Sequence, residues 1–226
     1  MPGRGWAMAT GRFITFEGGE GSGKSTQVQL LADRLRGGGV DVVLTREPGG
    51  SPFAEQVRAL ILDPETAPHS ALSEALLFYA ARSDLLDTVI RPALAAGRWV
   101  ICDRFSDSTR VYQGIAGGVE PAVLDRLEGI VVSGTRPDLT LILDLPADVG
   151  LARAASRRGA NAGAALQPDA YEKRGLAFHE RLRAGYAAIA KAEPQRCVLV
   201  DGAGAAEAIA AEIWGHVERR LLQGGG

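Results

Sequence analysis

The sequence predicts an α/β fold, a three-layer, doubly wound sheet of five parallel strands with helices on both faces. Short apolar, β-prone runs alternate with longer stretches of helical periodicity along the chain. The first apolar run, Phe13 to Glu17, is followed by a glycine cluster and then by helical periodicity from Lys24 to about Arg36. A strand, a tight loop and a helix in this order open a βαβ unit, whose strands are parallel.

The remaining strands follow at intervals that leave room for helices between them. Three glycines at positions 37 to 39 end the first helix, and the next apolar run completes the first βαβ unit. The strands predicted after the first are Val40 to Thr45, Trp99 to Cys102, Leu139 to Leu145 and Cys197 to Val200.

Long helical patterns fill the intervals, and we predict helices over Ser73 to Ala96, Pro121 to Val132 and Tyr171 to Ala192. Pro92 predicts a kink or a break in the first of these, because proline removes a backbone donor and its ring clashes with the preceding turn. The stretch from Gly159 to Gln167 has few apolar residues and is expected to be a mobile loop or a surface insertion without a role.

Composition indicates one soluble domain. Of 226 residues, 46% are hydrophobic, and 25 Lys and Arg against 27 Asp and Glu give a net charge of -2. This balance argues against a polynucleotide-binding protein, because such proteins usually carry a basic excess. We expect a flexible extension over 1–11 and a single domain over 12–222, with no membrane segment.

The two cysteines, Cys102 and Cys197, each lie within a predicted strand. Free cysteine in such a run usually behaves as a small buried hydrophobic residue. No disulfide framework is suggested, which fits a cytoplasmic protein.

The glycine cluster carries the strongest motif. Residues 18 to 25 read GGEGSGKS and fit G-x-x-x-x-G-K-[ST] between a predicted strand and a predicted helix, which predicts a P-loop NTPase fold. Glycines let successive N–H groups face phosphate oxygens, Lys24 would reach the β- and γ-phosphates, and Ser25 would offer its hydroxyl to Mg²⁺. The predicted ATP-phosphate site comprises Gly18, Gly19, Glu20, Gly21, Ser22, Gly23, Lys24, Ser25 and Thr26.

Further clusters indicate a second anionic ligand. The residues 45–50, the pair Asp103 and Arg104, and the basic stretch 153–158 lie at or near the carboxyl ends of predicted strands, where open α/β sheets bind ligands. Each cluster also has a plain structural explanation. Arg46 and Glu47 could form a surface ion pair, and Phe78 could belong to the core.

The chain resembles the thymidylate kinase family of the bacterial type from about Arg12 onward. The matching strings are FITFEGGEGSGKST, TREPGG, LLFYAAR, VICDRFSDSTRVYQG, RPDLTLILDL with GLARA, and FHERLRAGY.

The resemblance implies roles for individual residues. Phe78 matches the aromatic residue that stacks on thymine, Arg82 the arginine that hydrogen-bonds the base, and Tyr112 a wall against a ribose 2′-hydroxyl. Asp103 is implied near Mg²⁺ together with Ser25, and Arg104 on the acceptor phosphate. The implied dTMP site comprises Glu20, Glu47, Pro48, Arg58, Phe78, Arg82, Arg104, Ser108, Thr109 and Tyr112.

The lid, about 153–172, departs from the family pattern. Where many members have Asp-Arg-[Phe/Ile]-Glu, this chain has Ala170 in place of the arginine. Charge on the transferring phosphoryl group must still be offset, and Arg153, Arg157 and Arg158 are the candidates. With Lys24, Asp103 and Arg104 they form the predicted catalytic set.

The resemblance implies transfer of the γ-phosphoryl group of MgATP to dTMP, on the way to dTTP, by a homodimeric cytoplasmic enzyme. Two alternatives remain open at this stage. One is a kinase for another small acceptor, which would not need the base pocket of Phe78, Arg82 and Tyr112. The other is a module that binds ATP without phosphoryl transfer, for which the altered lid is the only support.

Overall fold

The predicted sheet is confirmed. A computed structural model describes residues 10–160, 171 and 173–223. Five strands pair in parallel in the order β2-β3-β1-β4-β5. The strands are β1 (Phe13–Gly18), β2 (Val42–Arg46), β3 (Trp99–Asp103), β4 (Leu139–Asp144) and β5 (Cys197–Asp201).

Helices occupy the connections and the end of the described chain. They are α1 (Lys24–Gly37), α2 (Pro52–Leu62), α3 (Ala71–Leu85), α4 (Arg91–Ala95), α5 (Ser106–Thr109), α6 (Pro121–Val131), α7 (Ala147–Ala160), α8 (Leu176–Ala192) and α9 (Ala206–Val217). Three single turns of π-helix, Leu86–Ile90, Arg110–Ile115 and Glu218–Leu222, extend α3, α5 and α9.

Two helix predictions need correction. The predicted helix from Tyr171 begins five residues later, at Leu176, because Gly175 is extended and takes the cap position. The irregularity expected at Pro92 lies immediately before it, where the Arg91 N–H donates to Leu86 O in a wider π turn. A wider turn accommodates the proline ring and its missing N–H without ending the helix.

The strand order brings functional residues to one edge of the sheet. β1 lies between β3 and β4. The connection that leaves β1 runs to the edge strand β2, whereas the connection that leaves β3 runs in the opposite direction to β4, so the winding of the sheet reverses beside β1. This is the topological switch point at which doubly wound sheets bind ligands. Phe16 is level with Asp103, and Gly18 is level with Leu143, so the carboxyl ends of these strands meet.

The core lies on both faces of the sheet. Ile14 and Phe16 face one apolar cluster with α1 and α9, while Phe13 faces another with α3 and β3. Thr15 and Glu17 are buried at alternate positions between these apolar residues. A buried glutamate so close to the phosphate loop needs partners, which are described below.

The remaining sequence predictions concern the terminal extension, the loop after α7, the two cysteines and a membrane segment. Residues 1–9 of the predicted extension and 161–167 of the predicted loop lie outside the described residues. Cys102 and Cys197 are buried and unpaired, as expected. Within the described ranges, no helix has the length and apolar character that a membrane crossing requires.

Candidate active site

The loop between β1 and α1 is held open by glycine. Gly18, Gly21 and Gly23 have φ values of 137°, 67° and 94°, which side chains rarely adopt. A Cβ at Gly21 would also lie 2.0 Å from Gly150 O. No side chain in the described part of the chain caps the first turn of α1, which leaves its N–H groups available to an anion.

Lys24 is folded back onto this loop. Its Nζ donates to Gly18 O at 3.1 Å, Gly19 O at 2.8 Å and Ser22 Oγ at 3.3 Å. Burial and, to a smaller extent, the charge of Arg104 together lower the pKa of Lys24 to about 8, against the opposing effect of Glu20. An ammonium group held this way is available for phosphate oxygens, which are stronger acceptors than the carbonyls.

Ser25 and Asp103 form the candidate metal site. Asp103 ends β3, and the Ser25 hydroxyl in the first turn of α1 donates to its Oδ2 at 2.9 Å. Thr26 follows in the same turn and is exposed. The described residues contain no cluster of three or more His, Cys, Asp or Glu side chains that could hold a metal. Two protein oxygens beside a phosphate loop suit Mg²⁺, which usually keeps phosphate and water ligands.

Arg104 and Glu20 connect the phosphate loop to a neighbouring pocket. Arg104 has a φ of 70°, and its Nη2 donates to Glu20 Oε1 at 2.7 Å. The Tyr112 hydroxyl donates to the same oxygen at 3.1 Å. Burial raises the pKa of Glu20, but Arg104 and Lys24 more than offset this and lower it to about 2. Glu20 is therefore an anion that fixes both partners.

The neighbouring pocket contains most of the residues expected to bind dTMP. It is lined by Glu20, Glu47, Pro48, Arg58, Leu62, Phe78, Arg104, Ser108, Tyr112, Gln113 and Tyr171. Arg58 approaches from α2, where its Nη1 donates to Pro48 O at 2.8 Å.

Arg82 and Glu47 form a buried pair beside this pocket. Arg82 Nε and Nη2 donate to Glu47 Oε2 at 2.9 and 2.7 Å, and Nη2 also donates to Thr109 Oγ1 at 3.0 Å. The alternative of a surface pair between Arg46 and Glu47 is wrong, because Arg46 instead pairs with Glu55. Arg82 Nη1 is buried without a hydrogen-bond partner among the described residues, which leaves a donor for a ligand.

The candidate lid arginines lie on α7. Arg153 donates from Nη1 to Gly202 O at 3.0 Å and from Nη2 to Ala203 O at 3.4 Å, so it contacts the loop between β5 and α9. Arg157 is exposed. Arg158 lies in the last turn of the same helix, and Ala170 lies outside the described residues.

Comparisons with known proteins agree with this geometry. The family model described as thymidylate kinase matches residues 16–213. The chain belongs to the thymidylate kinase family. A thymidylate kinase of Caulobacter vibrioides is 53% identical over 214 residues, which cover 95% of this chain and 99% of that protein. A thymidylate kinase of Rhodopseudomonas palustris is 52% identical over 217 residues, covering 96% and 92%. The crystal structure of the Ehrlichia chaffeensis thymidylate kinase has a TM-score of 0.73 at 34% identity and covers 92% of this chain and 98% of that one.

The sequence prediction did not include five residues at this site, namely the pocket-lining Leu62, Gln113 and Tyr171, and Glu17 and Tyr186 beside Arg104. Gln113 lines the pocket, and its Nε2 donates to Glu74 Oε2 at 2.7 Å, which leaves Oε1 buried without a partner among the described residues. Glu17 and Tyr186 meet beneath Arg104, with the Tyr186 hydroxyl 3.1 Å from Glu17 Oε2. For Glu17 the sequence offered one signal of a functional role, a charged residue at the end of an apolar strand. It offered no such signal for the others.

Proposed function

We propose that this chain transfers the γ-phosphoryl group of MgATP to dTMP through the phosphate loop and the adjoining pocket, giving ADP and dTDP. The position of Arg104 carries the proposal. Its Nη1 donates to Gly18 O of the phosphate loop at 3.0 Å, while the same side chain lines the pocket with Phe78 and Tyr112. One guanidinium therefore contacts the phosphate loop and also lines the pocket, which supports in-line transfer between an ATP held by the loop and a dTMP held by the pocket.

The reaction needs charge compensation rather than a strong base. The second pKa of a phosphate monoester is about 6, so the acceptor oxygen is already mostly ionised at neutral pH. Lys24 and Arg104 provide fixed positive charges on the donor and acceptor sides. Ser25 and Asp103 would hold Mg²⁺, which neutralises charge on the β- and γ-phosphates when bound.

Two buried groups support recognition of thymine. Arg82 Nη1 is a donor and Gln113 Oε1 an acceptor, and both lack partners among the described residues. The bond from Gln113 Nε2 to the acceptor-only Glu74 carboxylate fixes which amide atom is the oxygen. A free donor and a free acceptor complement the carbonyl and imide N–H of thymine, whereas cytosine presents the opposite pattern. Phe78 is half-buried in the pocket wall, where a base can stack.

The proposal is tested by measuring ADP release with MgATP and a panel of nucleoside monophosphates: dTMP, dUMP, ribothymidine and uridine monophosphates, and dCMP. We expect dTMP to have the highest kcat/KM and dCMP to lose roughly 10⁴-fold, because a mismatched base leaves buried polar groups unpaired. Equal rates with dCMP would contradict the base pocket. The absence of acceptor-dependent turnover would contradict the kinase.

We also propose a homodimer that forms through α2 and α3. Exposed apolar residues recur on both helices, Phe53 and Leu60 seven apart on α2, and Leu72 and Leu76 four apart on α3. Each spacing places the two residues on one side of its helix. The two helices also pack against each other, so their apolar residues suit a two-fold interface.

Sedimentation analysis tests the dimer. We expect the native chain to sediment at twice its monomer mass and Leu76→Glu to shift it toward the monomer. Leu30→Glu on α1, at a site of similar exposure on the opposite face of the sheet, is the matched control and should stay dimeric. A monomeric native chain, or loss of the dimer in both variants, would argue against this surface.

A further inference from the structure

Glu17 is a buried carboxylate with a complete set of donors. It is 0% exposed and lies next to the last residue of β1. Oε1 accepts from Phe105 N at 2.8 Å and Ser108 N at 3.2 Å, and Oε2 accepts from Ser108 Oγ at 2.6 Å and the Tyr186 hydroxyl at 3.1 Å. Two backbone and two side-chain donors together use both oxygens of the carboxylate.

These bonds fix the chain immediately after Arg104. Phe105 is the cap residue of α5, and its apolar side chain cannot satisfy the first N–H groups of that helix. Glu17 provides this cap from a neighbouring strand. Arg104 itself has a φ of 70°, which few non-glycine residues adopt, and its N–H donates to Phe16 O at 2.8 Å. Two adjacent residues of β1 therefore stabilise the unfavourable backbone conformation of Arg104. Phe16 accepts a hydrogen bond from the N–H of Arg104, and Glu17 accepts one from the N–H of Phe105, the next residue.

The same carboxylate also holds the groups that support the Arg104 guanidinium. Arg104 Nη1 donates to Ser108 Oγ at 3.2 Å and to the Tyr186 hydroxyl at 3.1 Å. These two hydroxyls lie 2.9 Å apart, and both contact Glu17 Oε2. Glu17 thus orients the hydroxyl oxygens of Ser108 and Tyr186, which accept hydrogen bonds from Arg104 Nη1. Glu17 itself forms no hydrogen bond with Arg104.

We propose that Glu17 is a positioning residue that directs Arg104 toward the acceptor phosphate through Ser108 and Tyr186. This inference rests on the proposed role of Arg104 at that phosphate. Glu17 is too deeply buried to touch either substrate, so its effect passes through these hydrogen-bond partners and through the attraction between its charge and that of Arg104.

Glutamine at position 17 preserves the shape of the side chain but changes one oxygen into a donor. Its carbonyl would take the side facing Phe105 N and Ser108 N, where both groups are donors. The new N–H groups then face the hydroxyls of Ser108 and Tyr186 and compete with Arg104 Nη1 for their oxygens. The guanidinium would lose its fixed position even though the fold keeps its packing.

The first measurement is steady-state kinetics of Glu17→Gln and Tyr186→Phe. We expect kcat/KM for dTMP to fall about 10- to 100-fold in Glu17→Gln and about 3- to 10-fold in Tyr186→Phe, with KM for ATP unchanged. Glu128→Gln and Tyr79→Phe are the matched buried controls, because the Glu128 carboxylate bonds Arg110 and the Tyr79 hydroxyl bonds Leu124 O, and Tyr79→Phe keeps the ring that packs on Arg82; both should keep the native kcat/KM. Equal losses for ATP and dTMP, or equal losses in the controls, would overturn the proposal.

The second measurement is a double-mutant cycle on the dissociation constant of dTMP. If Glu17 acts through Arg104, Glu17→Gln should weaken dTMP binding in the native background and add less than about 2-fold in Arg104→Ala. A full effect in both backgrounds overturns the positioning role. Unchanged dTMP affinity in Arg104→Ala alone would instead refute the role of Arg104, a distinguishable result. If circular dichroism shows that Glu17→Gln is unfolded, the same double-mutant cycle is measured with Tyr186→Phe in place of Glu17→Gln.

Discussion

Lys24→Ala is expected to reduce kcat at least about 10³-fold, because it removes the fixed charge that faces the transferring phosphoryl group. Lys24 Nζ lies between two carbonyls of the phosphate loop, Gly18 O and Gly19 O, and Lys24 is the only lysine in the loop sequence. The other two lysines, Lys173 and Lys191, are exposed. Lys191→Ala is the control and should keep the native rate.

The same variant should remain folded. The pKa of Lys24 is lowered to about 8 from its ordinary 10.5, so its charged form is less favourable in the fold than in the unfolded chain. At pH 7 this charge lowers the free energy of unfolding, and Lys24→Ala removes that penalty. Because the penalty fades as pH rises from 8 to 10.5, the stability advantage of the variant should shrink across this range. Urea unfolding at several pH values, combined with rate assays, checks both expectations. Near-native turnover in Lys24→Ala would contradict the assigned site.

The phosphate loop could be predicted because all of its determinants are contiguous. A strand, the glycines from Gly18 to Gly23 and the start of α1 at Lys24 occupy one short segment. Local sequence therefore specifies both the conformation and the chemistry. The parallel sheet followed for a similar reason, since each strand is an apolar run bounded by glycine or charged residues.

The buried partnerships could not be read from the sequence. Glu17 meets Ser108 and Tyr186 at separations of 91 and 169 residues, and Gln113 meets Glu74 at 39. Nothing local distinguishes these polar side chains from surface ones, because their burial depends on which helices the sheet topology brings together. The resemblance predicts which residues touch the substrates but not which residues support them.

The sequence predicted some helices but missed others, including α2 and the π-helical turns. Signals for α2 were present, with Ser51 accepting from Ala54 N and Pro52 at the first helical position, yet the segment also reads as a turn because of the glycines before it. The π turns have no local signature. The turn at Arg110–Ile115 displaces Tyr112 and Gln113 from α-helical spacing, so their common position in the pocket depends on tertiary packing.

Arg82→Ala is expected to reduce the free energy of unfolding by about 3–5 kcal/mol, because it leaves the Glu47 carboxylate buried without its partner. The side chains of the pair are only 1% and 4% exposed. The exposed pair of Arg46 and Glu55, with side chains 55% and 43% exposed, is the matched control, and Arg46→Ala should lose less than about 1 kcal/mol. Adding Glu47→Gln to Arg82→Ala should recover part of the loss, because it removes the stranded charge.

The loss in Arg82→Ala should also depend on pH. Burial already raises the pKa of Glu47, and removing the opposing charge of Arg82 raises it further. A carboxyl group whose pKa is higher in the fold than in the unfolded chain destabilises the fold as pH rises, so the deficit of the variant relative to the native chain should grow as pH rises above the pKa that Glu47 has beside Arg82. The same variant should lower kcat/KM for dTMP about 10²-fold, since it removes the unpaired donor offered to the base. A small, pH-independent loss of stability would show that Glu47 gains other partners, and unchanged selectivity between dTMP and dCMP would exclude Arg82 from base recognition.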